Sequence, residues 1–113
     1  MPKLPQLKVI EGPALSLHDL TRGELVAGRG PESEIPLADR GVSRRHFLIR
    51  LREGRWYVED LGSSNGTYVN GLRILQPWVL RNGDQIKAGP FTLVFSSGEE
   101  EDDVTLLSLR LPH

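Results

Sequence analysis

Turn-forming residues interrupt this sequence so often that no amphipathic helix fits between them. Glu53-Gly54, Asn82-Gly83-Asp84 and Gly89-Pro90 each mark a reversal, and twelve glycines and eight prolines are spread over the 113 residues. Glycine costs a helix interior about 1 kcal/mol and proline about 3 kcal/mol. No window of about eleven residues sustains a helical stripe. What remains between the turns is short and rich in β-branched or aromatic residues. The clearest strands are ELVAG (24–28), FLIRLR (47–52), RWYVED (55–60), QIKAG (85–89) and FTLVFS (91–96). Weaker ones are LKVIE (7–11), ALSLH (14–18), EIPL (34–37) and WVL (78–80). Many short strands separated by turns at intervals of about 8–12 residues predict an all-β sandwich or barrel. Alternation assigns the faces: Phe47, Ile49 and Leu51 inward, Leu48, Arg50 and Arg52 outward; Trp56 and Val58 inward, Tyr57 and Glu59 outward.

A chain of 113 residues is long enough for one core and too short for two. It has no cysteine, so neither a disulfide framework nor a thiolate metal site is available. Its three histidines and scattered acids show no metal-ligand spacing, and no cofactor is expected. The N-terminus lacks the apolar stretch of a signal peptide, and nothing approaches the roughly 18 apolar residues of a membrane span. A soluble, cytoplasmic location is expected. The net charge of −1 hides an asymmetry: residues 1–98 carry thirteen basic against ten acidic side chains, and EEEDD (99–103) holds the other five acids. Residues 1–98 therefore form the expected domain, with 99–113 an acidic, solvated tail or linker. A charge of +3 without interleaved aromatics does not make a nucleic-acid surface.

One segment, DLGSSNGTYVNG (60–71), holds two Asn-Gly pairs with only TYV between them. Asn-Gly suits a two-residue hairpin turn because both residues accept positive φ. Two successive hairpins do not fit there, so one pair serves another purpose. Gly62-Ser63-Ser64-Asn65-Gly66 formally matches the nucleophile elbow of serine hydrolases. That motif requires a following helix and a downstream acid and histidine; the only later histidine is His113. No catalytic constellation is present, and no enzymatic activity is expected.

Three segments share polar, phosphate-friendly chemistry: Gly28-Arg29 at a strand end, GVSRRH (41–46) entering the strand at Phe47, and SSNGT (63–67) after the strand ending at Asp60. Together with Asn70-Gly71, this ordered set closely resembles the forkhead-associated (FHA) domain, over about Glu24 to Phe95 and including Gly83-Asp84. The resemblance implies an antiparallel β-sandwich of about eleven strands that binds phosphothreonine peptides downstream of a Ser/Thr kinase. It assigns phosphate contacts to Arg29, Ser43 and Ser64, a phosphate or peptide-backbone contact to Arg44, and peptide-backbone contact to Asn65, supported or extended by Asn70. Gly28, His46 and Gly66 are expected to support the site, with Asn65-Gly66 kept for recognition and Asn70-Gly71 forming the true turn. A phosphate-independent interaction or oligomerisation module is the alternative. Thr105, after five acids, raises a further expectation: once phosphorylated, it could occupy this pocket in cis or in a neighbouring copy. The apolar run after the acids either begins another module or adds to a sheet edge.

Overall fold

The computed structural model describes residues 4–98, and every described element is a strand. In chain order they are β1 (Gln6–Glu11), β2 (Ser16–Asp19), β3 (Glu24–Gly28), β4 (Ile35–Pro36), β5 (Phe47–Arg52) and β6 (Arg55–Asp60). There follow β7 (Thr67–Val69), β8 (Leu72–Arg73), β9 (Trp78–Val79), β10 (Gln85–Ala88) and β11 (Phe91–Ser96). Two sheets result, ordered β2-β1-β11-β10-β7-β8 and β4-β3-β5-β6-β9. All pairings are antiparallel except β3 with β4. The fold is the expected eleven-stranded sandwich. The acidic run and Thr105 lie outside the described residues.

The inner faces meet in one core. Leu7, Val9, Val69, Ile86, Leu93 and Phe95 of the six-stranded sheet pack with Leu25, Ala27, Ile35, Phe47, Ile49 and Val58 of the other. Fully burying side chains of the larger kind contributes about 1.5–3 kcal/mol each, which holds two small sheets together without cross-links. Alternation assigned most faces correctly. Leu51 is one exception, 44% exposed although it lies on the inward side, and Leu48 is another. Leu51 pairs with Trp56 beside the turn that joins β5 to β6, and the larger ring takes the contact with the core. Leu48, on the outward side of the central strand β5, is buried between its neighbours Val26 and Glu59.

Turn chemistry sets the registers. Arg52 opposes Arg55 across Glu53-Gly54, whose φ values of 53° and 78° fit a type I′ turn. Val69 opposes Leu72 across Asn70-Gly71, at φ of 51° and 87°. The second Asn-Gly pair is thus the hairpin turn. Strands β7 and β8 are three and two residues long, too short for their alternation to be read from the sequence. Ala27, Phe47 and Asp60 align across one sheet, and Thr67, Ala88 and Phe91 across the other. The segments after β3, before β5 and between β6 and β7 therefore emerge from the same end of the sandwich.

Candidate binding site

At that end the three polar segments are joined by hydrogen bonds. The Arg29 N–H donates to Ser43 O (3.0 Å) and the Gly30 N–H to Arg44 O (3.0 Å), zipping the segment after β3 onto the one before β5. Gly28 permits this approach: a Cβ there would run into the Arg44 carbonyl, with its carbon at 2.8 Å and Ser43 O at 2.9 Å. The Arg29 side chain is held by its own Nε–H, which donates to Val42 O at 2.9 Å. Its two terminal amino groups are left to solvent with no partner among the described residues.

The third segment joins through Ser43 and His46. The Ser64 N–H donates to Ser43 Oγ at 3.0 Å, which leaves the Ser43 hydroxyl hydrogen available to an outside acceptor. Asn65 Nδ2 donates to Gly41 O at 2.8 Å, tying the tip of one segment to the base of another. His46 is fully buried, receives the Ser43 N–H on Nδ1 (3.1 Å) and lies 2.8 Å from Gly66 O through Nε2. A backbone N–H can only donate and a carbonyl can only accept, so these partners assign a neutral ring with its proton on Nε2. The imidazole therefore spans two segments twenty residues apart in sequence. Arg44 and Ser64 are exposed, with side chains unpartnered among the described residues. The described ion pairs, Arg22–Glu34 at 3.8 Å and Arg50–Glu24 at 3.1 Å, involve neither Arg29 nor Arg44.

Asp60, which is not among the expected site residues, organises the segment from within. Its carboxylate accepts from Gly62 N–H (3.0 Å), Ser63 N–H (3.1 Å), Ser63 Oγ (2.5 Å) and Thr67 Oγ1 (2.7 Å). Ser63 Oγ in turn accepts the Gly66 N–H at 2.9 Å. Burial pushes the Asp60 carboxyl up; the hydrogen bonds from Ser63, Thr67 and Gly62 outweigh it and hold the carboxyl below its ordinary value. The signal was the Asp-x-Gly spacing, which suits an aspartate that turns the chain onto its own carboxylate.

Asn70 stands apart from this cluster, at the far end of β7. Its Nδ2 donates to Asp84 Oδ1 (3.0 Å) and its Oδ1 accepts the Gln85 N–H (2.9 Å), so both ends of the amide are engaged in bracing the hairpin. The structure thus brings Arg29, Ser43, Arg44, Ser64 and Asn65 to one end, together with Gly28, His46 and Gly66, but not Asn70. Among the described residues no cluster of His, Asp or Glu could hold a metal ion, and no helix could cross a membrane.

A β-sandwich with a rigidly tied group of loops at one end, carrying unpaired arginines and hydroxyls, belongs to the class of modules that recognise ligands through loops. The chain is a member of the FHA family: the model of the FHA domain matches residues 25–89. That is a family of phosphothreonine-binding modules. Over 77 residues the chain is 51% identical to the glycogen accumulation regulator GarA of Mycolicibacterium smegmatis, covering 68% of this chain and 48% of that one. It is also 51% identical over 75 residues to the oxoglutarate dehydrogenase inhibitor of Corynebacterium glutamicum, covering 66% and 52% respectively. The chain spans about half the length of the curated relatives it matches. A solved structure, described as a structural and functional analysis of phosphothreonine-dependent FHA domain interactions, superposes with a TM-score of 0.75 at 34% identity. That match covers 82% of this chain and 95% of the other.

Proposed function

We propose that this chain binds phosphothreonine-containing proteins and acts downstream of a Ser/Thr kinase, as a binding module rather than an enzyme. The observation that carries the reading is the arrangement of Arg29, Ser43 and Ser64. An arginine pinned by Nε, a hydroxyl with its hydrogen free and a second free hydroxyl stand on three hydrogen-bonded segments. Phosphothreonine brings about −1.5 to −2 charges and three acceptor oxygens at neutral pH. Arg29 and Arg44 supply the charge, and the Ser43 and Ser64 hydroxyls supply further donors. Asn65, already reaching back to Gly41, keeps its carbonyl oxygen and one amide hydrogen for the peptide backbone. The site is built in advance, so little ordering entropy opposes binding. The relatives named as a regulator and as an inhibitor are in keeping with a protein that acts by binding.

Titration of a phosphothreonine peptide library against wild type and Arg29→Ala tests the reading. Charge-assisted hydrogen bonds contribute about 1.5–3 kcal/mol each, so losing the Arg29 contacts should weaken binding by about tenfold or more. Binding that persists after phosphatase treatment, or that is indifferent to Arg29→Ala, overturns it in favour of a phosphate-independent interaction surface.

A further inference from the structure

The hairpin at Asn70-Gly71 does more than end β7, because it carries Arg73 back to the recognition segment. Arg73 pairs with Tyr68 across β7 and β8, and the next residue closes the turn through Ile74 N–H to Thr67 O at 3.0 Å. The guanidinium is thereby laid against Gly66: a Cβ added there would lie 2.8 Å from Arg73 Nε and 3.1 Å from Cζ. Gly66, at φ of 88°, has a conformation and a vacant side that admit this contact. Both Asn-Gly pairs are thus joined in one device, the second turning the chain so that Arg73 covers the glycine of the first.

Arg73 is exposed, and among the described residues its guanidinium has neither a hydrogen bond nor an ion-pair partner. It borders a cleft of ≈ 320 Å³ that adjoins the recognition segment, lined also by Glu59, Asp60, Gly62, Leu75 and Pro77. The Asp60 oxygens are occupied by four donors of its own segment, and Asp60 forms no ion pair with Arg73. Gly66 is two residues from Ser64, and an extended chain advances roughly 3.3–3.6 Å per residue. Two residues span at most roughly 7 Å, so the Arg73 guanidinium on Gly66 lies within reach of a side chain one or two positions from a residue whose phosphate meets Ser64. The planar fork of arginine matches a carboxylate in two parallel hydrogen bonds. Glu59 in the same cleft opposes a second phosphate dianion more strongly than a single carboxylate.

We propose that Arg73 is a specificity-determining residue that pairs with an Asp or Glu side chain one or two positions from the phosphothreonine of a bound peptide. The inference rests on the phosphothreonine reading above. The test is calorimetric titration of the full 113-residue chain with phosphothreonine peptides carrying Ala, Asp or Lys at each flanking position in turn. Wild type should favour Asp over Ala at one of those positions by about fivefold to tenfold, and disfavour Lys there. Arg73→Gln, which keeps most of the stem over Gly66, should reduce that preference to less than about twofold while binding the Ala peptide as wild type does. Arg73→Lys should retain part of it. If Arg73→Gln weakens all peptides alike, or if the Asp preference survives, the inference is overturned and Arg73 is a packing residue. If wild type binds no phosphopeptide, the reading beneath falls and this one with it.

Discussion

Replacing Asp60 by Asn removes one charge and one acceptor from the hub of the segment between β6 and β7 while changing almost no volume. In the wild type, Oδ1 accepts from Ser63 Oγ and Thr67 Oγ1, and Oδ2 accepts from the Gly62 and Ser63 N–H groups. Asn keeps a carbonyl oxygen for Thr67, which is fully buried, and for Ser63. It turns an NH₂ toward two backbone N–H groups that need an acceptor. Two hydrogen bonds to a charged group are lost, each contributing about 1.5–3 kcal/mol, and the Gly62 N–H regains water because it is exposed. The expected destabilisation is about 2–4 kcal/mol, read as a lowered midpoint in urea unfolding at neutral pH. Because the folded carboxyl lies below its ordinary value, its stabilisation is complete above the unfolded value and is lost as pH falls through the folded one. The gap between wild type and Asp60→Asn should therefore close under acid conditions, wild type alone losing this contribution. A neutral-pH loss under about 0.5 kcal/mol, or a gap that does not change with pH, would refute the assignment of Asp60 as the hub.

Three further substitutions separate support from contact. Ser43→Ala removes a hydroxyl whose partner, the Ser64 N–H, is exposed; stability should fall by under about 1 kcal/mol while phosphopeptide affinity falls about tenfold, measured by unfolding and by titration. Gly28→Ala forces a methyl into the Arg44 carbonyl and should cost several kcal/mol, on the order of the cost of overpacking a core, visible as a lowered melting temperature. Asn70→Ala loses two hydrogen bonds and places alanine at φ of 51°; a loss of about 1–3 kcal/mol in stability with phosphopeptide affinity unchanged is expected, and a selective loss of affinity would make Asn70 a contact residue.

Nine of the eleven strands were legible because their signals are local. Alternation along β5 and β6 and the glycines that bound them act over a few residues of neighbouring chain. Strands β7 and β8 escaped because five residues in two pieces carry no period of their own; their existence follows from β10, which supplies the ladder on which Thr67–Val69 pairs. The members of the candidate cluster were legible through an ordered resemblance, while their joining was not. No spacing rule says that the Ser64 N–H meets Ser43 Oγ across twenty-one residues, or that one imidazole binds Ser43 and Gly66 at once.

Asn70 and Arg73 mark the boundary most clearly. Which residues turn the chain, which alternate and which carry charge is decided by side-chain chemistry acting on its immediate backbone, and the sequence alone determines it. Where those side chains finish is decided by sheet register. Register turned Asn70 away from the end that holds Arg29, Ser43 and Ser64 and committed its amide to Asp84 and Gln85. The same register laid Arg73, two residues past the turn, against Gly66. A strand slipped by one residue would present the opposite side chains, so only the packed sandwich, which rewards a single register, settles which groups share a site.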